Sequence, residues 1–381
     1  MKTVDLGSVA TIDRQGVNPG SVVPETRYLG LEHIEQGGRI IGYETVGGAQ
    51  LVSTKFRFSP EHVLFGKLRP NLGKISRPEF EGVCSTDIIP IRPGKHLDRN
   101  YLAHFLLQPS MIDYAASRTS GANLPRLSPD LLAKFLIPLP SLSEQRRIAA
   151  ILDQADALRS RRRQVLNHLA TLTGSVFHDT FGGHTYKTLR LDEVAAVSSG
   201  ITKGRKTNES TTPTPYLAVS NVQAGCIKLD LVKEIPATSA EIQRYALQDG
   251  DLVLTEGGDP DKLGRGTVWR SQLALCLHQN HVFKVRPDKH IVLPDYLSEC
   301  LASSESRAYF LRSAKQTTGI ASINMTQLRA APVPMPPMRD QLRFLERKMS
   351  IASKHAALQH IMATHDELFA SLQSRAFRGE L

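Results

Sequence analysis

The stretch Pro138-Leu139-Pro140-Ser141-Leu142-Ser143-Glu144-Gln145-Arg146-Arg147-Ile148 decides the reading of the whole chain, because it returns as Pro334-Met335-Pro336-Pro337-Met338-Arg339-Asp340-Gln341-Leu342-Arg343-Phe344. In the first copy the prolines stop one element, and Ser141 with Glu144 has the spacing of a capping box that opens the next. The forty residues after Pro140 contain no proline, and no glycine before Gly174, which predicts a long helix. The second copy predicts another.

Working outward, the second half of the chain restates the first at an offset of about 185 to 200 residues. Lys2-Thr3-Val4-Asp5-Leu6 returns as Lys187-Thr188-Leu189-Arg190-Leu191, and Tyr28-Leu29 as Tyr216-Leu217. Leu72-Gly73-Lys74 returns as Leu263-Gly264-Arg265, Ile91-Arg92-Pro93 as Val285-Arg286-Pro287, and Tyr101-Leu102 as Tyr296-Leu297. A collinear series of this kind indicates duplication of a domain-sized unit. Each half has a mixed globular head of short apolar runs punctuated by Gly and Pro, then the long helix. Strand candidates are His62–Phe65, Asp87–Ile91, Tyr216–Val219, Asp251–Thr255 and His281–Val285, and single helices are expected over Tyr101–Tyr114 and Pro294–Ser313. The expected fold class is α+β, with heads at 1–140 and 183–336 and long helices at 141–182 and 337–381.

Counting in sevens along the first helical stretch puts Ile148, Ala155, Arg162, Leu169 and Val176 on one row and Ile151, Leu158, Val165 and Leu172 on another. The second stretch puts Phe344, Ile351, Leu358, His365 and Leu372 on one row, with Ile361 and Leu368 on the other beside the charged Arg347 and Lys354. A seven-residue seam over four heptads predicts a coiled coil, built from Ile148, Ile151, Leu158, Val165, Leu169 and Leu172 against Ile351, Leu358, Ile361, Leu368 and Leu372. Duplicated units joined this way would pair with approximate two-fold symmetry. The alternative is two amphipathic helices lying separately on their own heads, which a narrow seam fits less well.

Composition sets the partner class. Forty-seven Lys and Arg against thirty-seven Asp and Glu give a net charge of +10, which points first to nucleic acid. Aromatic residues make up 6% of the chain and Trp269 is the single tryptophan, so double-stranded DNA suits it better than stacking on single strands. Cys84, Cys226, Cys276 and Cys300 lie far apart, which disfavours a zinc ribbon or redox pair and fits a reduced cytoplasm. No apolar run approaches the roughly 18 residues of a membrane span. There is no P-loop motif, no Asn-Pro-Pro-Tyr-like segment and no His-x-x-x-His spacing, so no catalytic centre, metal or cofactor is expected.

Basic and Gly-rich loops stand at equivalent places in the two heads. The first head has Gly66-Lys67-Leu68-Arg69-Pro70-Asn71-Leu72-Gly73-Lys74, and the second Thr255-Glu256-Gly257-Gly258-Asp259-Pro260-Asp261-Lys262-Leu263-Gly264-Arg265-Gly266. A further pair is Arg118–Arg126 and Lys315–Asn324, each with hydrogen-bonding side chains around a glycine. Arg and Lys contact phosphate or guanine, Asn pairs adenine, and Asp or Glu accepts from cytosine. A solvated turn has the same composition. The cluster Arg159, Arg161, Arg162 and Arg163 reads as a solvated helix face or as a contact with a protein partner or phosphate.

These residues together resemble the specificity subunits of type I restriction-modification systems. The resemblance runs through PLPSLSEQRRIAAILDQAD at 138–156, LFGKLRPNLGKI at 64–75, CSTDIIPIRP at 84–93, GGDPDKLGRG at 257–266, HQNHVFKVRP at 278–287 and AFRGEL at 376–381. It implies two tandem target-recognition domains, each reading one half of a split double-stranded DNA target, with the two long helices pairing as an antiparallel coiled coil that sets the gap. It also implies two modification subunits docked on the helical regions, restriction subunits in the full complex, and no catalysis by the chain itself. Carried over, the DNA-binding candidates are Lys67, Arg69, Asn71, Lys74, Ser120 and Arg126 in the first head, and Glu256, Asp259, Lys262, Arg265, Thr318 and Asn324 in the second. Arg146, Arg147, Arg159, Arg162 and Arg163 are the candidates for partner binding. The Lys-Leu-Arg-Pro form occurs only in the first head, so an asymmetric target is expected. Two other readings compete: a divergent metal-dependent DNA endonuclease, and a structural coiled-coil adaptor without a DNA role.

Overall fold

The run Val63-Leu64-Phe65-Gly66 is apolar on both faces, and in the computed structural model it forms an inner strand of a four-stranded antiparallel sheet, buried throughout. The strand order is Ala10–Ile12, Ile88–Pro93, Val63–Gly66, Ile75–Ser76, with Ile91 opposite both Ile12 and Val63. The same sheet recurs as Ala195–Ser198, Val282–Pro287, Leu252–Thr255 and Gly266–Val268, where Val285 takes the place of Ile91 opposite Val197 and Leu252. A short pair closes each copy, Thr3–Asp5 with Leu136–Pro138 and Thr188–Arg190 with Pro332–Pro334. The structure describes residues 2–258, 263–317 and 320–381.

The copies diverge in their second sheets. The first has five strands in the order Gly16–Val17, Lys55–Phe58, Gly82–Cys84, Arg27–Leu29, Glu44–Thr45, and the second has three, Lys233–Ala237, Thr212–Leu217 and Leu277–His278. Both retain one parallel pairing, Leu29 with Cys84 and Leu217 with His278.

Each expected head helix is broken in two. Arg99–Leu106 and Pro109–Ala116 replace the single helix over 101–114, because Pro109 has no N–H to continue the ladder and Gln108 before it is extended. In the second head Pro294–Ala302 and Ser304–Ser313 meet at Ser303, which leaves the helical region and caps the next helix by accepting the Ser306 N–H.

The long helices run over Leu142–Phe181 and Met338–Arg378. The chain divides into two units, one of Met1–Val165 with Leu358–Leu381 and the other of Leu166–Ala357. In the first unit Ile148, Ala149 and Leu152 of the first long helix join Ala376 and Phe377 of the second around the head core. In the second unit Phe181 and Phe344 do the same. Within each unit the two helix segments run antiparallel, the beginning of one beside the end of the other.

The coiled-coil seam is shifted from its expected position on one row. Ile148, Leu169, Ile351, Leu358 and Leu372 are covered, but Leu158 is 54% and Leu368 60% exposed, and Val165, Leu172 and Ile361 also face outward. Ile151 is half-buried. The covered second row lies one residue later, at Leu152, Arg159 and Leu166, and at Lys348, His355, Met362 and Phe369. Sequence apolarity picks the wrong neighbour here because the true row carries charges that are paired. Arg159, 16% exposed, lies over the Phe369 ring at 4.2 Å and binds Asp366 at 2.6 Å.

The Gln of the repeated Pro-rich stretch is the tie between helix and head. Gln145 is fully buried; its Oε1 accepts the Asp98 N–H at 2.8 Å, and its Nε2 donates to the His96 and Pro140 carbonyls at 3.0 Å each. Gln341 repeats this with the Leu293 N–H at 2.9 Å and the Ile291 and Pro336 carbonyls at 3.5 and 3.1 Å. Tyr101 and Tyr296 add a matching pair, donating to the Pro138 and Pro334 carbonyls at 2.9 and 2.6 Å. Gln145→Leu strands three buried backbone groups and should cost about 2–4 kcal/mol of unfolding free energy in a denaturant titration; a loss below about 0.5 kcal/mol would contradict the tie.

Stability should also depend on pH through His278. Burial lowers its pKa to about 4, although its Nδ1 contact with the Val282 carbonyl partly opposes this. The folded state holds the ring neutral while the unfolded chain protonates it below about pH 6.5. Its contribution is therefore complete above that value and lost as pH falls toward 4, by up to about 3 kcal/mol. Urea unfolding of the second unit at pH 7 and pH 5 should show this loss, and His278→Gln should flatten it.

Candidate nucleic-acid interface

In the first head the sheet delivers the chain outward after Gly66 and takes it back at Ile75. Between them Arg69 adopts a left-handed conformation at φ 50°, and Pro70–Leu72 form one 3-10 turn closed by Gly73 at φ 56°. A side chain in that region costs roughly 1–2 kcal/mol, so the surrounding contacts must hold Arg69 there. They come from the other candidate loop. The Arg69 N–H donates to the Pro125 carbonyl at 2.8 Å, the Leu127 N–H donates to the Lys67 carbonyl at 3.0 Å, and Ser120 and Arg126 exchange both backbone bonds. Two loops about fifty residues apart in sequence thus form one surface.

The candidates in that surface divide by what their side chains are doing. Arg126 grips Asp87 with Nε at 2.9 Å and Nη2 at 3.3 Å, a contact that raises its pKa above the ordinary arginine value. Lys74 donates to the Leu31 carbonyl at 2.6 Å. Both hold the scaffold together. Arg69, Asn71 and Ser120 are exposed, and Lys67 is half-buried.

A third loop adjoins them that sequence reading missed. The Gly37 N–H donates to the Gly73 carbonyl at 3.2 Å, and Gly37 and Gly38 both have positive φ. A Cβ on Gly38 would overlap the Ile75 carbonyl oxygen, so only glycine allows this approach. Gln36 and Arg39 are exposed beside it, with Arg39 paired to Glu35 at 3.0 Å. The Gly-Gly pair flanked by polar residues was the available signal. Arg118, also exposed, stacks 3.5 Å from the centre of the Tyr114 ring.

The second head joins its two candidate loops by strand pairing. Gly257 lies opposite Ser322 and Gly258 opposite Ala321, and the Ile323 N–H donates to the Glu256 carbonyl at 2.9 Å. The Gly225 N–H reaches the Gly266 carbonyl at 3.1 Å, two residues beyond Gly264, the counterpart of Gly73. Glu256 is bound to His281 at 2.6 Å, and Asn324 caps the helix Met325–Arg329 by accepting the Gln327 N–H at 2.9 Å. Arg265 is half-buried, and its carbonyl accepts the Thr255 N–H at 2.8 Å. Asp259, Lys262 and Thr318 lie outside the described residues.

On the first long helix Arg146 is exposed, with a 3.9 Å approach to Asp98. Arg147 binds Glu144 and the Leu381 carbonyl, and the Arg147 contact lowers the Glu144 pKa. Arg159 belongs to the seam rather than to an open face, and it shares Asp366 with Arg163, while Arg162 meets His365. Among the described residues no group of three or more His, Cys, Asp or Glu could hold a metal ion, and no helix is long and apolar enough to cross a membrane.

Residues 2–168 match the family profile described as the type I restriction modification DNA specificity domain. The EcoKI type I restriction enzyme specificity subunit of Escherichia coli strain K12 is 25% identical over 360 residues, spanning 87% of this chain and 77% of that protein. The StySPI specificity subunit of Salmonella potsdam is 24% identical over 362 residues, with the same coverage of 87% and 77%. Among solved structures, a chain from a study of complex assembly and conformational transition in the type I R-M system superimposes with a TM-score of 0.65 at 18% identity, covering 100% of this chain and 98% of that one. The type I S subunit from M. genitalium gives 0.56 at 12% identity over 99% and 96%. These likenesses establish the fold over the whole length.

The division of roles in the first head predicts opposite effects on stability. Arg69→Gly relieves a left-handed side chain and should leave thermal stability unchanged or raise it by up to about 1 kcal/mol. Lys74→Ala, which strands a carbonyl, should lower it by about 1 kcal/mol or more. Calorimetry of the two variants checks both signs.

Proposed function

We propose that this chain is a specificity subunit of a type I restriction-modification system, and that its surfaces divide that work as follows. The chain is a non-catalytic, sequence-specific DNA-binding subunit, and the heads at 1–140 and 183–336 each read one half of a bipartite target. The observation that carries this reading is the convergence, in each head, of two loops distant in sequence onto one polar surface. Exposed Arg69, Asn71 and Ser120 with half-buried Lys67 make the contacts in the first head, while Lys74 and Arg126 support them. In the second head Glu256, Asp259, Lys262, Arg265, Thr318 and Asn324 are the corresponding set, with Asn324 positioning its loop as a helix cap.

Because the loops differ in residue and in construction, the two half-sites differ. The helical stretches 141–182 and 337–381 set the gap between them and dock two modification subunits, with restriction subunits joining in the full complex in the cytoplasm. Exposed Leu158, Val165, Ile361 and Leu368 in the first unit, together with Arg146 and Arg163, supply the docking chemistry there. Leu172 contributes in the second unit.

The test uses the chain assembled with its modification subunits. Arg69→Ala should weaken binding by about 1–3 kcal/mol and relax discrimination in one half-site only; equal loss in both halves would contradict the modular reading. Binding should fall steeply as salt rises, since neutralised phosphates release counterions. Removing one turn from a long helix should change the accepted gap between half-sites, and an unchanged gap would remove the helices from that role.

A further inference from the structure

The buried glutamines and the tyrosines place the two head–helix seats in one register, so positions can be compared between copies. Gln145 matches Gln341 on the helices, and Tyr101 matches Tyr296 on the head helices. In this register Leu152 corresponds to Lys348, Asp153 to Met349, Asn100 to Asp295 and His104 to Glu299.

The polarity of the contact between helix and head is reversed in the two units, through helix positions one residue apart. In the first, the helix contributes an acid: Asp153 accepts from Arg77 Nη1 at 2.7 Å and from His104 Nε2 at 2.8 Å, both on the head. In the second, the helix contributes a base: Lys348 Nζ lies 3.2 Å from Asp295 Oδ1 and 3.0 Å from Glu299 Oε1. Arg270 of the same head also binds Asp295. Burial opposes the charge on Asp153 and Asp295, but their basic partners outweigh it and hold both carboxyls below the usual range. His104 and Asp295 are buried, Asp153, Arg77, Lys348 and Glu299 are half-buried, and Arg270 is exposed.

We propose that each long helix is keyed by charge to its own head, so that the second long helix accepts a head with acidic residues at its seat and the first accepts a basic one. The shared glutamine and tyrosine ties would let either head approach either helix; the keyed pairs decide which one seats. A first head placed on the second long helix would set Lys348 beside Asn100 and His104, neither of them an acid, and Met349 where Arg77 and His104 need Asp153. A second head on the first helix would set Asp153 beside Glu299. Partly desolvated charges without partners disfavour both arrangements. Exchange of a head between the two positions therefore requires exchange of the key residues with it.

The experiment replaces residues 187–336 with a copy of residues 2–140, in one version unchanged elsewhere and in another carrying Lys348→Leu and Met349→Asp. Thermal unfolding of the full chains should show the unkeyed chimera melting at least about 5 °C below the keyed one. Equal melting of the two, or failure of both to fold, would overturn the proposal. The native chain gives a second reading without transplantation: Lys348→Glu should lower the melting temperature, and adding Glu299→Lys should recover at least half of the loss. No recovery would equally count against the key.

Discussion

Neither head closes its own core; aromatic side chains from the long helices do so. In the first unit Phe377 stacks at 5.0 Å from Tyr101 and 5.5 Å from Phe105, and in the second Phe181 lies 5.0 Å from Tyr296 and 5.7 Å from Phe344. Each such ring buries about 150–250 Å² of surface. A head without its helices would expose this apolar surface, which ties the fold of each head to two helix segments; in the first unit one of the two is remote from the head in sequence. The segment Leu358–Leu381 thus folds with residues from the beginning of the chain.

The residues of the candidate loops sort into those that hold the scaffold and those left exposed. Lys74, Arg126 and Asn324 resemble binding residues in composition, yet their polar groups satisfy backbone, carboxylate and helix-end partners. In the first head the backbone bond to Pro125 holds Arg69 in a conformation it would not otherwise keep, on a surface where its guanidinium is exposed. The second head reaches a comparable arrangement by pairing Gly257-Gly258 with Ala321-Ser322. Two different constructions on one sheet topology fit the proposal that the two heads read different half-sites.

The repeat was legible because it is collinear and because prolines mark the same boundaries twice. Its strongest pair, Gln145 and Gln341, was visible as a match, but burial of the amides was not, since nothing local distinguishes a buried Gln from a surface one. The seam was half legible: Ile148 and its row follow the heptad, whereas Arg159 and Lys348 look like surface residues until Asp366, Asp295 and Glu299 are brought beside them. The meeting of Ser120–Arg126 with Lys67–Arg69 rests on backbone bonds across about fifty residues, which leave no periodic trace. Head helices read as continuous because Pro109 is tolerated at a helix start as well as being a breaker, and Ser303 gives no stronger warning.

The central claim is that this chain decides where a methyltransferase acts on DNA. Base-resolution methylation mapping of cells carrying the gene, beside cells in which only this gene is deleted, tests it most directly. The account predicts that deletion abolishes methylation at one asymmetric, two-part motif with a fixed gap, and that the intact gene restores it. An unchanged methylation map in the deletion strain would contradict the claim.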